Sequence, residues 1–181
     1  MFDIVVPDHI KKHCAQQIER YNFGKRGYAD GTREQQFVGI LGQSVIMELF
    51  GLGLINGATG FDSGTDFTFN DTIIDVKTMT RTTEVRDYYV NNFMAVQLKY
   101  NTDIYIFCSY NTTISLLTVC GCISKSEFMK KASFFNKGAD RFRSDGSSFK
   151  TFADLYEIGN NNLHTCNSIE DLKAQIIHSF E

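Results

Sequence analysis

Apolar and polar positions alternate along this chain with two periods, one helical and one extended. From Asp8 to Tyr21 the apolar positions Ile10, Cys14, Ile18 and Tyr21 recur at helical spacing behind Pro7, predicting an amphipathic helix. The stretch "NFGKRGYADG" that follows is Gly-rich and charged and reads as a loop, solvated in the plainer reading and in contact with a polyanion in the other. "TREQ" at Thr32 to Gln35 has the form of a capping box. The run "FVGILGQSVIMELFG" behind it is apolar nearly all round until Gly51 and Gly53, so it predicts a buried helix.

The stretch "GTDFTFNDTIIDVKT", Gly64 to Thr78, changes to the extended period. Asn70 and Asp71 both tolerate positive φ, and alternating residues flank them, which predicts a tight antiparallel hairpin. With those two as the loop, Phe69 faces Thr72, Thr68 faces Ile73 and Phe67 faces Ile74. The same register sets Asp66 opposite Asp75, with Lys77 on their face and Phe67, Phe69, Ile74 and Val76 on the other.

Beyond the hairpin, Thr80 to Tyr100 mixes strand character with a short helical segment over Phe93 to Lys99. "DIYIFCSY" and "ISLLTVCGCI" predict two neighbouring strands in a hairpin. "SKSE" at Ser124 to Glu127 is a second capping box, opening a helix to about Ala132. "SIEDLKAQIIHSF" from Ser168 predicts a closing amphipathic helix. "NKGADRFRSDGSSFK" between them reads as a basic surface loop.

Composition narrows the class. Apolar residues make up 43% and charged residues 22% of 181, which fits one ordinary globular domain. The formal charge of -3 leaves no general polyanion footprint, so any nucleic-acid contact must come from locally clustered Lys and Arg. No apolar run approaches the ~18 residues of a membrane span. Five cysteines without paired spacing, and no secretory leader pattern, lead to the expectation of a reducing cytosol. Cys120 and Cys122, two apart on a strand, should share one face as buried thiols. A zinc site built from them with His164 and Cys166 is the competing reading, without a CxxC pair to support it.

Two carboxylates facing each other across a ladder repel unless a cation lies between them. Lys77 supplies part of that charge, and paired carboxylates are also the hard oxygen ligands that Mg²⁺ prefers. Asp/Glu-x-Lys arises about once by chance in a chain of this size, and "DLK" at Asp171 to Lys173 on the closing helix is such a decoy. The strand placement of "DVK" and the opposed Asp66 set Asp75 and Lys77 apart from it.

In this order of parts the chain resembles the PD-(D/E)XK nuclease superfamily, the restriction-endonuclease-like fold. That core has a helix with an acidic residue, a hairpin with Asp on its first strand and Asp/Glu-x-Lys on its second, then further strands and a helix. The matching parts are "GILGQSVIMELFG", Asp66 in "GTDF", "DVK" at Asp75 to Lys77, and the strands around Ile106 and Leu117, over roughly Thr32 to Ala132. Thr65 stands where the superfamily usually has Pro. A "GxxGE"-like pattern would align Gln43 with the helix carboxylate, whereas the helix's own carboxylate is Glu48. Five residues are about 140° of rotation, so the two cannot aim at one metal equally well. Glu48 is preferred on charge, with Gln43 supporting.

The resemblance implies an α/β (α+β) fold with a mixed central sheet flanked by helices. It implies one domain over 1–181, with its core at about 32–132 and a C-terminal extension at 133–181. The implied activity is that of a Mg²⁺-dependent deoxyribonuclease, Mn²⁺ substituting, with endonuclease preferred to exonuclease action. Asp66, Asp75, Lys77 and Glu48 would be catalytic, and Asp66, Asp75, Glu48 and the Val76 carbonyl would hold the metal. Removing Asp75 or Lys77 is expected to abolish cleavage with little effect on unfolding. DNA is the implied partner, through Arg81, Arg86, Lys137, Arg141 and Arg143, in a bacterial or phage-infected cytoplasm, with a homodimer admitted and no membrane. Gln97 with Tyr100 three later partly matches a Gln and Tyr pairing of exonuclease-like relatives, at a different spacing. The alternative is a nuclease fold without catalysis, acting as a nucleic-acid or protein adaptor.

Overall fold

A computed structural model of the chain describes residues 1–24, 31–59, 64–142 and 146–178. It is a mixed α+β fold built around a curled mixed sheet.

The helices form where the apolar period placed them. α1 (Asp8–Arg20) follows Pro7 and buries Ile10 and Cys14. α2 (Arg33–Leu49) opens on a complete capping box. Thr32 Oγ1 accepts the Gln35 N–H at 3.3 Å and Gln35 Oε1 accepts the Thr32 N–H at 2.9 Å, satisfying donors that a helix start leaves unpaired. Gly51 and Gly53 then take φ of +75° and +79°, values that end the helix at low steric cost.

β2 (Phe67–Phe69) and β3 (Thr72–Arg81) form the predicted hairpin in the predicted register, Phe67 with Ile74, Thr68 with Ile73 and Phe69 with Thr72. Asn70 and Asp71 turn it with φ of 47° and 61°. β3 then runs on well past β2 and pairs in parallel with β5 (Ile104–Asn111), which pairs antiparallel with β6 (Leu116–Ser124). β1 (Phe2–Val5) adds antiparallel to the far side of β6, giving the order β1-β6-β5-β3-β2. The sequence reading missed β1, whose four residues are too few to show a period.

One face of this sheet, with Ile74, Val76, Ile104, Ile106 and Leu117, packs against α1, α2 and α4 (Ile169–His178). The opposite face carries Tyr105, Phe107, Cys120 and Ile123. It is covered by Phe128 of α3 (Lys125–Lys131), Phe93 of β4 (Val90–Met94) and Ile158 of β10 (Leu155–Gly159). β10 lies between β4 and β7 (Ser133–Phe135) in a three-stranded second sheet. The residues after 132 therefore supply part of the layer that closes the core.

Two expectations are corrected. The segment read as a basic loop forms a hairpin, β8 (Asp140–Phe142) with β9 (Ser148–Lys150). Cys120 and Cys122 do not share a face. A bulge beside Gly121, where Phe107 pairs with Gly121 and Cys108 with Val119, makes Cys120 the extra residue and turns it to the face opposite Cys122. Gly121 takes φ of +149°, and a β-carbon there would lie 2.5 Å from the His164 carbonyl oxygen, so this position requires glycine. The four proposed zinc ligands are thereby split. His164 Nε2 instead lies 2.7 Å from Glu127 Oε2.

Candidate active site

β2 pairs with β3 only as far as Ile74, so the outer edge of β3 from Asp75 onward borders a cleft rather than a strand. Strand alternation determines what this edge offers. The Ile74 carbonyl accepts the Asp66 N–H at 2.9 Å, so Val76, Thr78 and Thr80 turn their amide groups the same way. The Val76 N–H donates to Asp66 Oδ2 at 2.6 Å. Asp66 has thus left the ladder at a bend and reaches back to the edge of β3, which corrects the directly opposed geometry expected for it and Asp75. The two carboxylates still line one cleft.

Asp75 and Lys77 project on the face shared with Tyr105 and Phe107, their register partners on β5. Asp75 is only 3% exposed, and its Oδ2 lies 2.7 Å from Lys77 Nζ. The lysine is held from its other side by the Phe93 ring, 5.5 Å from the ammonium to the centroid, a favourable cation–π placement. Below them, the Tyr105 hydroxyl is buried without a hydrogen-bond partner among the described residues. Burial, and then the nearby Asp75 carboxylate, hold its pKa well above the ordinary phenol value, so Tyr105 stays neutral in the core beneath Asp75.

The cleft has a volume of about 810 Å³. α2 contributes Gln43 to its wall from the helix face of β3, and the 3₁₀ turn Ala95–Lys99 contributes Gln97 from the other. Glu48 is absent from this lining, which corrects its preferred role. Its Oε1 pairs at 2.8 Å with His9 Nε2 on α1, at the surface. Charge favoured Glu48 in the sequence, but the rotation of α2 on the sheet turns the Gln43 side to the cleft.

The anticipated phosphate contacts are dispersed. Arg81 Nη2 donates to the Val90 carbonyl at 2.6 Å, and its guanidinium lies 5.1 Å over the Tyr89 ring, bracing β3 to β4. Arg86 pairs with Glu84 at 2.8 Å. Arg141 forms a two-pronged pair with Glu157 and stacks 3.9 Å over Phe135. Lys137 is exposed, and Arg143 lies outside the described residues. Lys77 is the one cation among the described residues that line the cleft.

Sequence reading overlooked Tyr21, Phe23 and Phe152, which form the aromatic part of the wall with Tyr100, the residue noted in the sequence beside Gln97. Two glycines carried the available signal, since each marks a ring packed on bare backbone. A β-carbon on Gly57 would fall 2.5 Å from Tyr21 Cδ2 and 2.7 Å from Phe23 Cζ, and one on Gly64 would fall 2.7 Å from Tyr100 Cβ.

No group of three or more His, Cys, Asp or Glu converges among the described residues. The oxygen donors that line the cleft here are two carboxylates, the Val76 carbonyl on the open edge and the Gln43 amide, all hard ligands. Mg²⁺ is ordinarily held by one or two carboxylates, with water and substrate oxygens completing its shell, so this donor set fits it. No helix among the described residues is long and apolar enough to cross a membrane. Comparison with known protein families, curated proteins and solved structures finds no match.

Proposed function

We propose that this chain is a metal-dependent nuclease that hydrolyses phosphodiester bonds, with DNA as its substrate. One observation carries the reading: Asp66, Asp75 and Lys77 line a single cleft on the open edge of β3, with Lys77 Nζ 2.7 Å from Asp75. A buried acid and amine in a concave site are the combination that hydrolytic chemistry uses.

Asp66, Asp75 and the Val76 carbonyl would hold Mg²⁺ or Mn²⁺. When bound, such an ion offsets phosphate charge and makes water more acidic. Asp75 keeps the Lys77 ammonium in place. Lys77 donates hydrogen bonds to a non-bridging phosphate oxygen and to the attacking water, stabilising charge that grows as the phosphorus adds its fifth oxygen. The new P–O bond comes from water, whose proton leaves to carboxylate or solvent, while the P–O bond to the departing sugar breaks and that sugar oxygen takes up a proton from solvent. Asp66, bonded to the Val76 amide, keeps the bend of the chain registered against β3. Gln43 adds a neutral amide to the helix side of the cleft and can orient a phosphate or a water.

Incubation of the purified chain with single- and double-stranded, linear and circular DNA is the test, with Mg²⁺ or Mn²⁺ and with EDTA. Cleavage that requires the ion and is lost in Asp75→Asn supports the reading. Nucleic-acid binding with no cleavage under any of these conditions would favour the adaptor.

A further inference from the structure

Resting on that reading, we infer that the cleft takes an unpaired nucleobase, so that the substrate is single-stranded DNA or a strand whose bases have left the duplex.

The lining argues this by its chemistry. Among the described residues the cleft holds a single cation, Lys77, whereas four aromatic rings border it. A duplex is gripped through its phosphates by several Lys and Arg side chains, and Arg81 and Arg141 are committed to the Val90 carbonyl and to Glu157. Aromatic walls suit bases instead, because each base offers a π face to a ring and its edges to amide groups such as Gln43 and Gln97, both buried in the wall. A volume of about 810 Å³ is of the size that takes a base or another small ligand.

The rings are set before any ligand arrives. Tyr21 and Phe23 pack over Gly57, and Tyr100 packs over Gly64. Phe152 differs in being 69% exposed, yet its backbone is tightly held. Thr151 and Ala153 on either side are buried. Thr151 Oγ1 donates to the Asn136 carbonyl at 2.6 Å, Thr151 N–H donates to the Ala139 carbonyl at 3.0 Å, and the Asp154 carbonyl accepts the Ala95 N–H at 3.0 Å. A large apolar ring displayed on a pinned backbone at the rim of a reactive cleft is placed to stack on an entering base.

The test uses the full chain in EDTA, so that binding is read without turnover. A fluorescein-labelled DNA strand of about 12 nucleotides, within the ~4–16 that single-strand sites span, carries a central 2-aminopurine. It is titrated alone and as the duplex. Expected are single-strand affinity at least about tenfold above duplex affinity and quenching of the 2-aminopurine on binding. Phe152→Ala should weaken single-strand binding at least about fivefold, with Phe152→Tyr restoring it, in keeping with base–ring stacking. Phe152 is exposed, so unfolding should be unchanged in both variants.

Equal or tighter duplex binding, or wild-type affinity in Phe152→Ala, overturns the inference. A parallel cleavage assay in Mn²⁺ separates the two readings. Duplex cut as readily as single strand sinks this inference and leaves the nuclease standing. Single-strand binding through Phe152 without cleavage keeps the base pocket and discards the nuclease. Failure to bind either strand form removes the base pocket.

Discussion

Gly42 of α2 lies directly against Thr78 of β3: a β-carbon on the glycine would overlap Thr78 Oγ1 and come within 2.9 Å of Thr78 Cβ. This bare contact lets the helix approach the strand closely enough for its next residue, Gln43, to join the wall beside Asp66 and Val76. Gly42→Ala is expected to lower stability by about 1–3 kcal/mol, the usual cost of overpacking, and to reduce activity with it. Thr78 Oγ1 is buried without a partner among the described residues, so Thr78→Ala alone should cost less and should partly rescue the double variant. Urea unfolding of the four proteins checks this.

Asp75 and Lys77 have a structural role that the sequence did not disclose. The expectation that either can be removed with little effect on unfolding is revised, because Asp75 is buried and Lys77 Nζ sits 2.7 Å from its carboxylate. Lys77→Ala takes this partner from a buried acid and should destabilise by about 1–3 kcal/mol, below the full cost of breaking a sealed pair because Lys77 is 18% exposed. Asp75→Asn keeps the shape and should unfold closer to wild type. Thermal melts alongside cleavage assays distinguish the two effects.

The helix position can be settled by a pair of variants. Glu48→Ala disrupts a surface pair with His9 and should leave cleavage within about threefold of wild type, the scale of an exposed ion pair. Gln43→Ala removes an amide from the cleft and should reduce cleavage about tenfold, the scale of one hydrogen bond to a charged group. Mn²⁺ titration by calorimetry should follow the same order, with Asp66→Ala weakest of all. Wild-type activity in Gln43→Ala together with loss in Glu48→Ala would reverse the assignment.

Glu127 ties α3 to the segment after β10. Its hydrogen bond with His164, and then that with Lys131, hold its carboxyl below the ordinary value of 4.5. A carboxyl with a depressed folded-state pKa contributes stability above its unfolded pKa and loses it as pH falls through the folded value. The stability difference between wild type and Glu127→Gln should therefore be full above about pH 5 and shrink steadily below pH 4.5. Denaturant melts across that range measure it; a difference that does not vary with pH would refute this role.

Three of the thiols should be inert in the folded chain. All five cysteines are free and buried, and burial pushes the pKa of Cys14, Cys108 and Cys120 up, leaving little thiolate to react, whereas a hydrogen bond with Cys122 holds Cys166 below the ordinary thiol value. Modification of Cys14, Cys108 and Cys120 by a thiol reagent should proceed at the rate of unfolding and accelerate with denaturant in parallel with it. A fast phase in native buffer would locate a thiol that opens locally.

The hairpin at Asn70 and Asp71 was legible to the residue because only a few side chains accept positive φ, and a two-residue loop then sets every pairing on both strands. The capping box at Thr32 was legible for a similar reason, since Thr32 and Gln35 satisfy each other's backbone within four residues, whereas at Ser124 the structure gives the half in which Ser124 accepts the Glu127 N–H. Less could be read of Asp66. It lies one residue past the paired ladder, where a bend governed by the surrounding cleft replaces the strand rule.

What sequence determined by itself was local: where helices begin, where the chain turns, and that "DVK" sits on a strand. These depend on backbone preferences acting over a few residues. Only the tertiary structure decided that α2 presents Gln43 and not Glu48, that a bulge parts Cys120 from Cys122, and that Arg81 and Arg141 serve as braces. It also decided that Phe152, far along the chain, stands at the rim of the cleft. Each of these follows from the rotation and depth at which distant elements pack. Shape complementarity across layers sets those quantities, and no short window of residues contains them.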